Sequence, residues 1–539
     1  MSHSQEYGNF DYIVVGAGSA GCVVASRLSE SGKYSVLLLE AGGSDKGFWV
    51  NVPLGYPALF SNPKYNWMYD SEREAGLNGR TTYQPRGKVL GGTSSINGMV
   101  YNRGSIDDYD EWRDSGCIGW GWKDVLPYFK KSEHRTAGPS ECHGIGGPLI
   151  VSDVEEKNEL FDSVIAAGIQ AGLPHRTDFN SGEQVGIGYY QVNINKAKRW
   201  SASRAYLDRA LGRSNLKVAT HAHTKKVVIE NKKAVAVEFD IQGKPFIARA
   251  KKEIILSAGV FGSPQILLLS GVGPEQQLKD KNIPIVHHLP AVGENLQEHF
   301  YVQLMFKCSK PITANDVNNS VVRKLATGMK YVFLKKGLLA SNGVCTGGFF
   351  KSDPTLKNPD YQFNLNPWSV AERTRDGMIP HPFSGFTLSP VHVKPDARGS
   401  VRLASNNPYD APEIRFNFLQ TEYDMKSMVA GVRMMRKISQ QPALKDLVVE
   451  EIQPGLSAQS DADIEAFIRE KGYANLHPVG SCRMGINVDS VVDPNLKVHG
   501  IQGLRIADAS IMPRVPAGNT HASSVMIGEK AADMILKSN

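Results

Sequence analysis

The sequence predicts an α/β fold joined to a second, α+β part with an antiparallel sheet. Three observations predict it: a strand, glycine turn, helix and strand in succession from Asp11 to Glu40; short apolar strands ending on small residues at 251–258 and 503–509; and alternating patterns between about 300 and 470. At 539 residues the chain also exceeds what one hydrophobic core usually holds, so two domains are expected.

The first element is DYIVVGAGSAGCVVASRLSESGKYSVLLLE, read as a strand (Tyr12 to Val15), a tight turn, a small-residue helix (about Ala20 to Ser29) and a second strand (Ser35 to Leu39) ending on Glu40. Gly16 allows the sharp turn, Gly18 lets the backbone approach a pyrophosphate, and Gly21 lets the helix pack on the strand. The helix offers free amides and partial positive charge to that pyrophosphate, and Glu40 is placed to accept hydrogen bonds from a ribose diol. This is a dinucleotide site, and the fingerprint by itself leaves NAD and FAD open.

Composition excludes several classes. No run of about 18 apolar residues could span a bilayer, and the most apolar stretch, IILSAGVFGSPQILLLSGVG, is broken by Gly259, Gly262 and Pro264. The net charge of +7 comes from 61 basic residues scattered among 54 acidic ones, without a basic stripe interleaved with aromatics, so no nucleic-acid partner is expected. Weak attraction to anionic membrane surfaces stays open. The six cysteines show no CxxC or CxxH clustering, so neither a metal site nor a disulfide framework is indicated. Together with an N-terminus lacking a basic and apolar leader, they point to the cytoplasm, with peripheral membrane attachment left open.

After Glu40, residues 41–70 are rich in Gly, Pro and Asn and read as a long ordered surface loop. The block Gln84 to Gly104, QPRGKVLGGTSSINGMVYNRG, sets Gly91 and Gly92 before Thr93, Ser94 and Ser95, then Asn97 and Gly98. Such glycines permit close backbone approach and the short polar groups supply donors, as a phosphate or heteroaromatic edge requires; a flexible linker is the other reading. Strands KKEIILSA (251–258) and GLRIADA (503–509) read as buried parallel strands. Alternation in YQFNLNPW, FTLSPVHVKP and SVRLAS reads as antiparallel strands with one wet face, followed by an amphipathic helix carrying Met425, Met428, Val429, Val432, Met435 and Ile438. Residues 303 to 345 are expected to form a lid over a substrate entrance.

The GAGSAG turn with Glu40, then RGKVLGGTSSINGMVYNRG, LSAGVFGSPQILLLSGVGP, VGENLQEH, HPVGSCRMG and GLRIADASIMP resemble, in order and over nearly the whole chain, the successive motifs of the glucose-methanol-choline (GMC) oxidoreductases, with choline dehydrogenase-like members the nearest in kind. The resemblance implies FAD rather than NAD. It also implies an α/β, Rossmann-like FAD-binding domain assembled from discontinuous segments (1–160, 190–300 and 470–539) and an α+β substrate-binding domain with an antiparallel sheet (161–189 and 301–469). The cofactor-binding residues it implies are Gly16, Gly18, Ser19, Gly21, Glu40 and Ala41 at the ADP end. Arg86, Val89, Gly92 and Ser95 follow, with Asn97, Gly98 and Met99 beside the isoalloxazine. Val227 reaches the adenine through its backbone, and Ala258, Gly259, Asp508, Ala509, Asn519 and Thr520 complete the set. Some members attach FAD covalently through a histidine in the segment GGTSSING; this sequence has Ile96 in that place, so non-covalent FAD is expected.

Oxidation of an alcohol needs a base for the hydroxyl proton and the flavin N5 for the hydride, and histidine titrates in the right range. In YANLHPVGSCRMG, His477 is followed by Pro478, Gly480 and Gly485, which hold it extended and allow close packing. On residue context a hydrogen-bonded structural histidine is the commoner reading; the resemblance implies that His477 is the catalytic base. The family has His or Asn at a partner position in PAGNTHASSV, and His521 is assigned to it, bonding the same substrate oxygen. A terminal helix starting around Thr520 to Ser523 would favour a reduced, anionic flavin by about 0.3–2 kcal/mol. The expected reaction is FAD-dependent oxidation of a primary alcohol to an aldehyde, with oxygen, a quinone or another carrier as electron acceptor. The alternatives are a hydroxynitrile lyase-like carbon–carbon lyase, a silent flavin-binding module and an NAD-dependent dehydrogenase. Trp368, Phe383 and Phe386 are candidate pocket aromatics, no residue discriminates among alcohols, and homo-oligomerisation is left open.

Overall fold

The computed structural model describes residues 4–374 and 377–538. In chain order the elements that position the site are β1 (Gln5–Val15), α1 (Ser19–Ser29), β2 (Val36–Leu39), α2 (Glu159–Gln170), β3 (Gly186–Tyr189), β4 (Leu216–Ala219), β5 (Ala222–Glu230), β6 (Lys233–Ile241), β7 (Lys244–Leu256), α3 (Gly259–Leu269), β8 (Phe300–Tyr301), β9 (Leu304–Cys308), α4 (Val321–Leu334), β10 (Thr346–Phe350), β11 (Tyr361–Asn366), β12 (Gly385–His392), α5 (Glu422–Ser439), β13 (Val448–Gln453), β14 (Tyr473–Ala474), β15 (Leu504–Ile506) and α6 (His521–Lys537).

The first sheet runs β4-β2-β1-β7-β6-β5, with β15 also paired to β7. Its centre is parallel, and β5 and β6 extend it as an antiparallel edge. The parallel strands are near-continuous apolar runs, as strands buried on both faces are, and all four residues of β2 are buried. Register does the functional work: Val15 lies beside both Leu39 and Leu256, and Leu256 beside Ile506. Four strand ends therefore finish at one level, delivering Gly16, Glu40, Ser257 and Ala507 to a single edge, the place where open α/β sheets bind ligands.

Two glycines make that edge. Gly16 has φ +98, and a Cβ there would stand 2.4 Å from the Ser257 carbonyl oxygen; a Cβ on Gly21 would stand 1.9 Å from the Gly16 oxygen. The turn and α1 can close on β7 only without side chains at these points. Against α1 packs α6, tied by Glu529, which accepts from Arg27 Nη2 at 2.7 Å and from the Tyr206 hydroxyl at 2.8 Å.

The second sheet is antiparallel, in the order β13-β9-β12-β11-β10-β3, with β8 paired to both β12 and β14. In β11 the alternation read from sequence is realised: Tyr361, Phe363 and Leu365 enter a core with Met425, Met428, Val432 and Met435 of α5. The other face carries Asn364 and Asn366, which line an internal cleft. Helix α2 and strand β3 join this sheet and its core. Strand β14, C-terminal to the expected boundary at 470, also pairs here, through β8. The segment expected to be plain loop at 41–70 contains helical turns at Phe48–Asn51 and Pro57–Phe60; Pro57 presets φ for the second.

Candidate active site

The strand ends of the first sheet and the polar face of the second enclose one continuous cavity of about 700 Å³. At one end Gly16, Gly18 and Ser19 line it, and α1 opens there with Gly18 as its N-cap and no side chain bonding its first amides. Both oxygens of buried Glu40 accept backbone N–H groups, from Ala17 at 2.9 Å and Gly42 at 2.8 Å. Burial pushes its carboxyl up to about 7 against those two donors. Further along, Ala222, His223 and Thr224 of β5 form the wall, and the buried Thr224 hydroxyl has no partner among the described residues. A backbone cradle that any Cβ would fill, uncapped helix amides, a fixed carboxylate and an orphaned hydroxyl fit a dinucleotide.

The middle of the cavity is held by Asp508. Its Oδ1 accepts from Ser510 N at 2.8 Å, and Oδ2 from Gly259 N at 3.0 Å and the Ser263 hydroxyl at 2.6 Å, which ties the end of β15 to the start of α3. Opposite, Asn97 Oδ1 accepts from Arg199 Nη1 at 2.9 Å, and Met99 takes a left-handed φ of 57. Gly98 offers its carbonyl to Asn342 Nδ2 at 2.7 Å.

Beyond them lies His477. Its Nε2 stands 3.0 Å from Asn519 Nδ2, its Nδ1 3.0 Å from His299 Nδ1 and 3.1 Å from Asn475 Nδ2, and its backbone N–H donates to Glu298 at 2.7 Å. A neutral imidazole donates from one nitrogen and accepts at the other. Asn519 is oriented by Gln362, whose Nε2 donates to Asn519 Oδ1 at 3.3 Å, so its NH2 faces Nε2; the ring proton then lies on Nδ1, toward His299, with the interchangeable amide O and N of Asn475 assigned so that its oxygen faces Nδ1. Burial, with a smaller contribution from Arg86, pushes the imidazole down to about 3. Burial likewise lifts the Glu298 carboxyl to about 8. The result is a neutral imidazole with a lone pair on Nε2.

Eighteen of the residues expected at the site line the cavity: Gly16, Gly18, Ser19, Glu40, Ala41, Arg86, Gly92, Asn97, Gly98, Met99, Ala258, Gly259, Asp508, Ala509, Asn519, Thr520, His477 and His521. Four do not. Gly21 is spent on helix packing, Val89 is core beside Val50, Leu59 and Ile96, and the Ser95 hydroxyl donates to Leu90 O at 2.6 Å. Val227 does not line it: its N–H donates to Ser270 Oγ at 2.8 Å, while Thr224 of the same strand does line the cavity. The convergence of two imidazoles is also corrected, since the neighbour of His477 Nε2 is Asn519, while His521 Nδ1 lies 2.9 Å from Ser19 Oγ at the start of α1. Residues two apart at a helix entrance point to different sides, so only one can face His477. Sequence reasoning missed His299 and Glu298; their signal was the motif VGENLQEH, which was noted without roles. Of the aromatic candidates, Trp368 lines the cavity, Phe386 is core and Phe383 stacks on His381. From the expected lid only Gln303 and Val344 reach the cavity; α4 does not.

A dinucleotide cradle continuous with a half-buried, proton-accepting imidazole defines a nucleotide-cofactor oxidoreductase. Family models described as GMC oxidoreductase match residues 10–301 and 395–528. The chain therefore belongs to the GMC oxidoreductases, flavoproteins whose dinucleotide is FAD. It is 42% identical to an oxygen-dependent choline dehydrogenase of Vibrio vulnificus, over 98% of this chain and 94% of the relative. It is also 42% identical to an alcohol dehydrogenase [acceptor] of Pseudomonas putida, over 98% and 96% respectively. The crystal structure of pyridoxine 4-oxidase from Mesorbium loti superposes with a TM-score of 0.88 at 30% identity, covering 97% of this chain and 98% of that one. Among the described residues no helix is long and apolar enough to cross a membrane.

Proposed function

We propose that this protein oxidises an uncharged primary alcohol to its aldehyde, with His477 as general base and Asn519 as the residue that orients the substrate oxygen. The observation that carries the reading is the 3.0 Å pairing of His477 Nε2 with Asn519 Nδ2 inside the same cavity as the dinucleotide cradle. An alcohol oxygen seated before both atoms donates its proton to Nε2 and accepts from the amide. Nδ1 keeps its proton toward His299, so the ring gains positive charge only as the hydroxyl proton arrives. Bound FAD supplies the hydride acceptor.

The names of relatives at 42% identity, a choline and an alcohol dehydrogenase, support an alcohol, and they include both an oxygen-dependent enzyme and one with another acceptor. The wall from β8, β11 and β14 presents Tyr301, Asn364 and Tyr473, none of them anionic, and Arg373 donates to the Tyr301 hydroxyl at 3.1 Å. Among the described residues of that wall a quaternary ammonium would meet positive charge with no carboxylate to offset it, which favours an uncharged substrate over choline. FAD is held without a covalent bond, since buried Ile96 offers no nucleophile.

The deciding experiment mixes the flavin-loaded enzyme anaerobically with a panel of uncharged alcohols and choline, then follows turnover with oxygen and with an artificial dye. Bleaching of the flavin by uncharged alcohols in preference to choline is expected. A flavin that stays oxidised with every alcohol, or a preference for choline, refutes the reading. Acid precipitation should leave the yellow colour in the supernatant.

A further inference from the structure

Helix α4 turns most of its apolar side chains to the outside. Ser320 caps it, its Oγ accepting from Arg323 N at 3.3 Å, and Lys335 ends it in a left-handed conformation with φ 55. Within it only Tyr331 is buried, its hydroxyl donating to Ala197 O at 3.1 Å. The apolar side chains point outward instead: Leu325 is 63% exposed, Met329 57% and Phe333 78%, with Val322 and Val332 on the same side. The spacing 322, 325, 329, 332 and 333 is that of one helical stripe. Five basic residues, Arg323, Lys324, Lys330, Lys335 and Lys336, share this stretch, and from Val321 to Lys336 there is no acidic residue.

We infer that α4 lies in the interface of an anionic lipid membrane, with its apolar stripe among the acyl chains and its lysines and Arg323 on the headgroups. Charge selects this occupant. A second copy of the chain docking by the same face about a two-fold axis would oppose ten basic groups, five from each helix, with no acid on either. Anionic headgroups supply the missing sign, and a basic amphipathic helix with large aromatic and aliphatic groups on one face is the arrangement that partitions there. Adjacent structure adds anchors of the same kind. The turn Leu338–Ala340 after α4 packs on the turn Pro53–Gly55, which follows the short helix bearing exposed Phe48 and Trp49. The chain then runs directly to Asn342, whose amide holds Gly98 on the cavity wall. The membrane-bound face is thereby coupled to the wall of the active-site cavity, whatever alcohol the cavity accepts.

The test is co-sedimentation of the flavin-loaded full-length protein with phosphatidylcholine vesicles, with and without phosphatidylglycerol. Binding is expected only with phosphatidylglycerol, weakening with added salt. Leu325→Glu with Phe333→Glu should lower that binding by at least about tenfold, and Lys324→Glu with Lys330→Glu should weaken it as well. Both variants, being at exposed sites, should keep wild-type flavin content. No sedimentation of the wild-type protein with anionic vesicles defeats the inference, as does binding unaffected by both pairs of substitutions. A dimer in solution that Leu325→Glu with Phe333→Glu converts to monomer, without any lipid binding, would identify the stripe as a self-interface instead.

Discussion

Asn519 Nδ2 stands 3.0 Å from His477 Nε2, while His521, two positions further on, directs Nδ1 to Ser19 Oγ at 2.9 Å. One helix entrance thus serves both ends of the cavity: Asn519 faces the base, and His521 faces the first turn of α1, where the pyrophosphate belongs. Replacing His477 by Ala should lower flavin reduction by alcohol about 10²–10⁴-fold with flavin still bound. Asn519→Ala should cost about 10²-fold, the scale of one lost oriented donor. Stopped-flow reduction rates measure both.

The same geometry separates His521 from the chemistry. His521→Ala removes the partner of Ser19 Oγ and a buried neutral ring at the cradle, so the expected defect is weaker retention of FAD with a reduction rate within about threefold of normal once FAD is saturating. A loss of reduction as large as that of His477→Ala, at full flavin occupancy, would return His521 to the base's side of the cavity.

The depressed His477 sets an expectation for pH. An ordinary imidazole loses its proton near about 6.5, but burial holds His477 near about 3, so the base is already neutral across the physiological range. The acid limb of kcat/KM should therefore lie well below about 6.5. The sign for stability follows. Between the two values the unfolded chain binds a proton that the folded one does not, so this histidine's contribution is present above the unfolded value and lost as pH falls through the window. Glu298, lifted to about 8, runs the other way, its contribution fading as pH rises through that value. Glu298→Gln, which keeps an acceptor for the His477 N–H, should flatten the alkaline side of the thermal-melting profile. An acid limb at the ordinary histidine value, or an unaltered alkaline profile, would contradict this account.

Much of this was legible in the sequence because it is local. The turn Gly16 to Gly21 and Glu40 sit on consecutive elements whose periodicity and glycine spacing declare them, and β11 announces its core face through Tyr361, Phe363 and Leu365. What failed depends on direction at sub-turn resolution. Choosing His521 over Asn519 by chemical type ignored that residues two apart at a helix start diverge. Expecting Val227 and not Thr224 at the cavity wall missed a bulge in β5 between Thr224 and Lys226, where the pairing with β6 shifts register. His299 and Glu298 act through contacts 178 and 179 residues away in sequence, so the motif VGENLQEH marks the segment without telling what it touches.

The last prediction concerns what keeps α6, and with it Asn519 and His521, in place. The Glu529 carboxylate is fully buried and takes Arg27 Nη2 at 2.7 Å, Arg27 Nε at 2.9 Å, the Tyr206 hydroxyl at 2.8 Å and Lys131 Nζ at 3.2 Å. Glu529→Ala leaves the mostly buried Arg27 with only the exposed Glu30 as partner at 3.2 Å, so it should cost about 3 kcal/mol of stability. Arg27→Met combined with Glu529→Leu removes both charges and fills the space, and should recover a large part of that loss. Because α1 and α6 carry Ser19 and His521 at their starts, the single variant should also release FAD faster, in step with its lower melting temperature. If Glu529→Ala melts and retains flavin like the wild type, this buried cluster does not hold the two helices together.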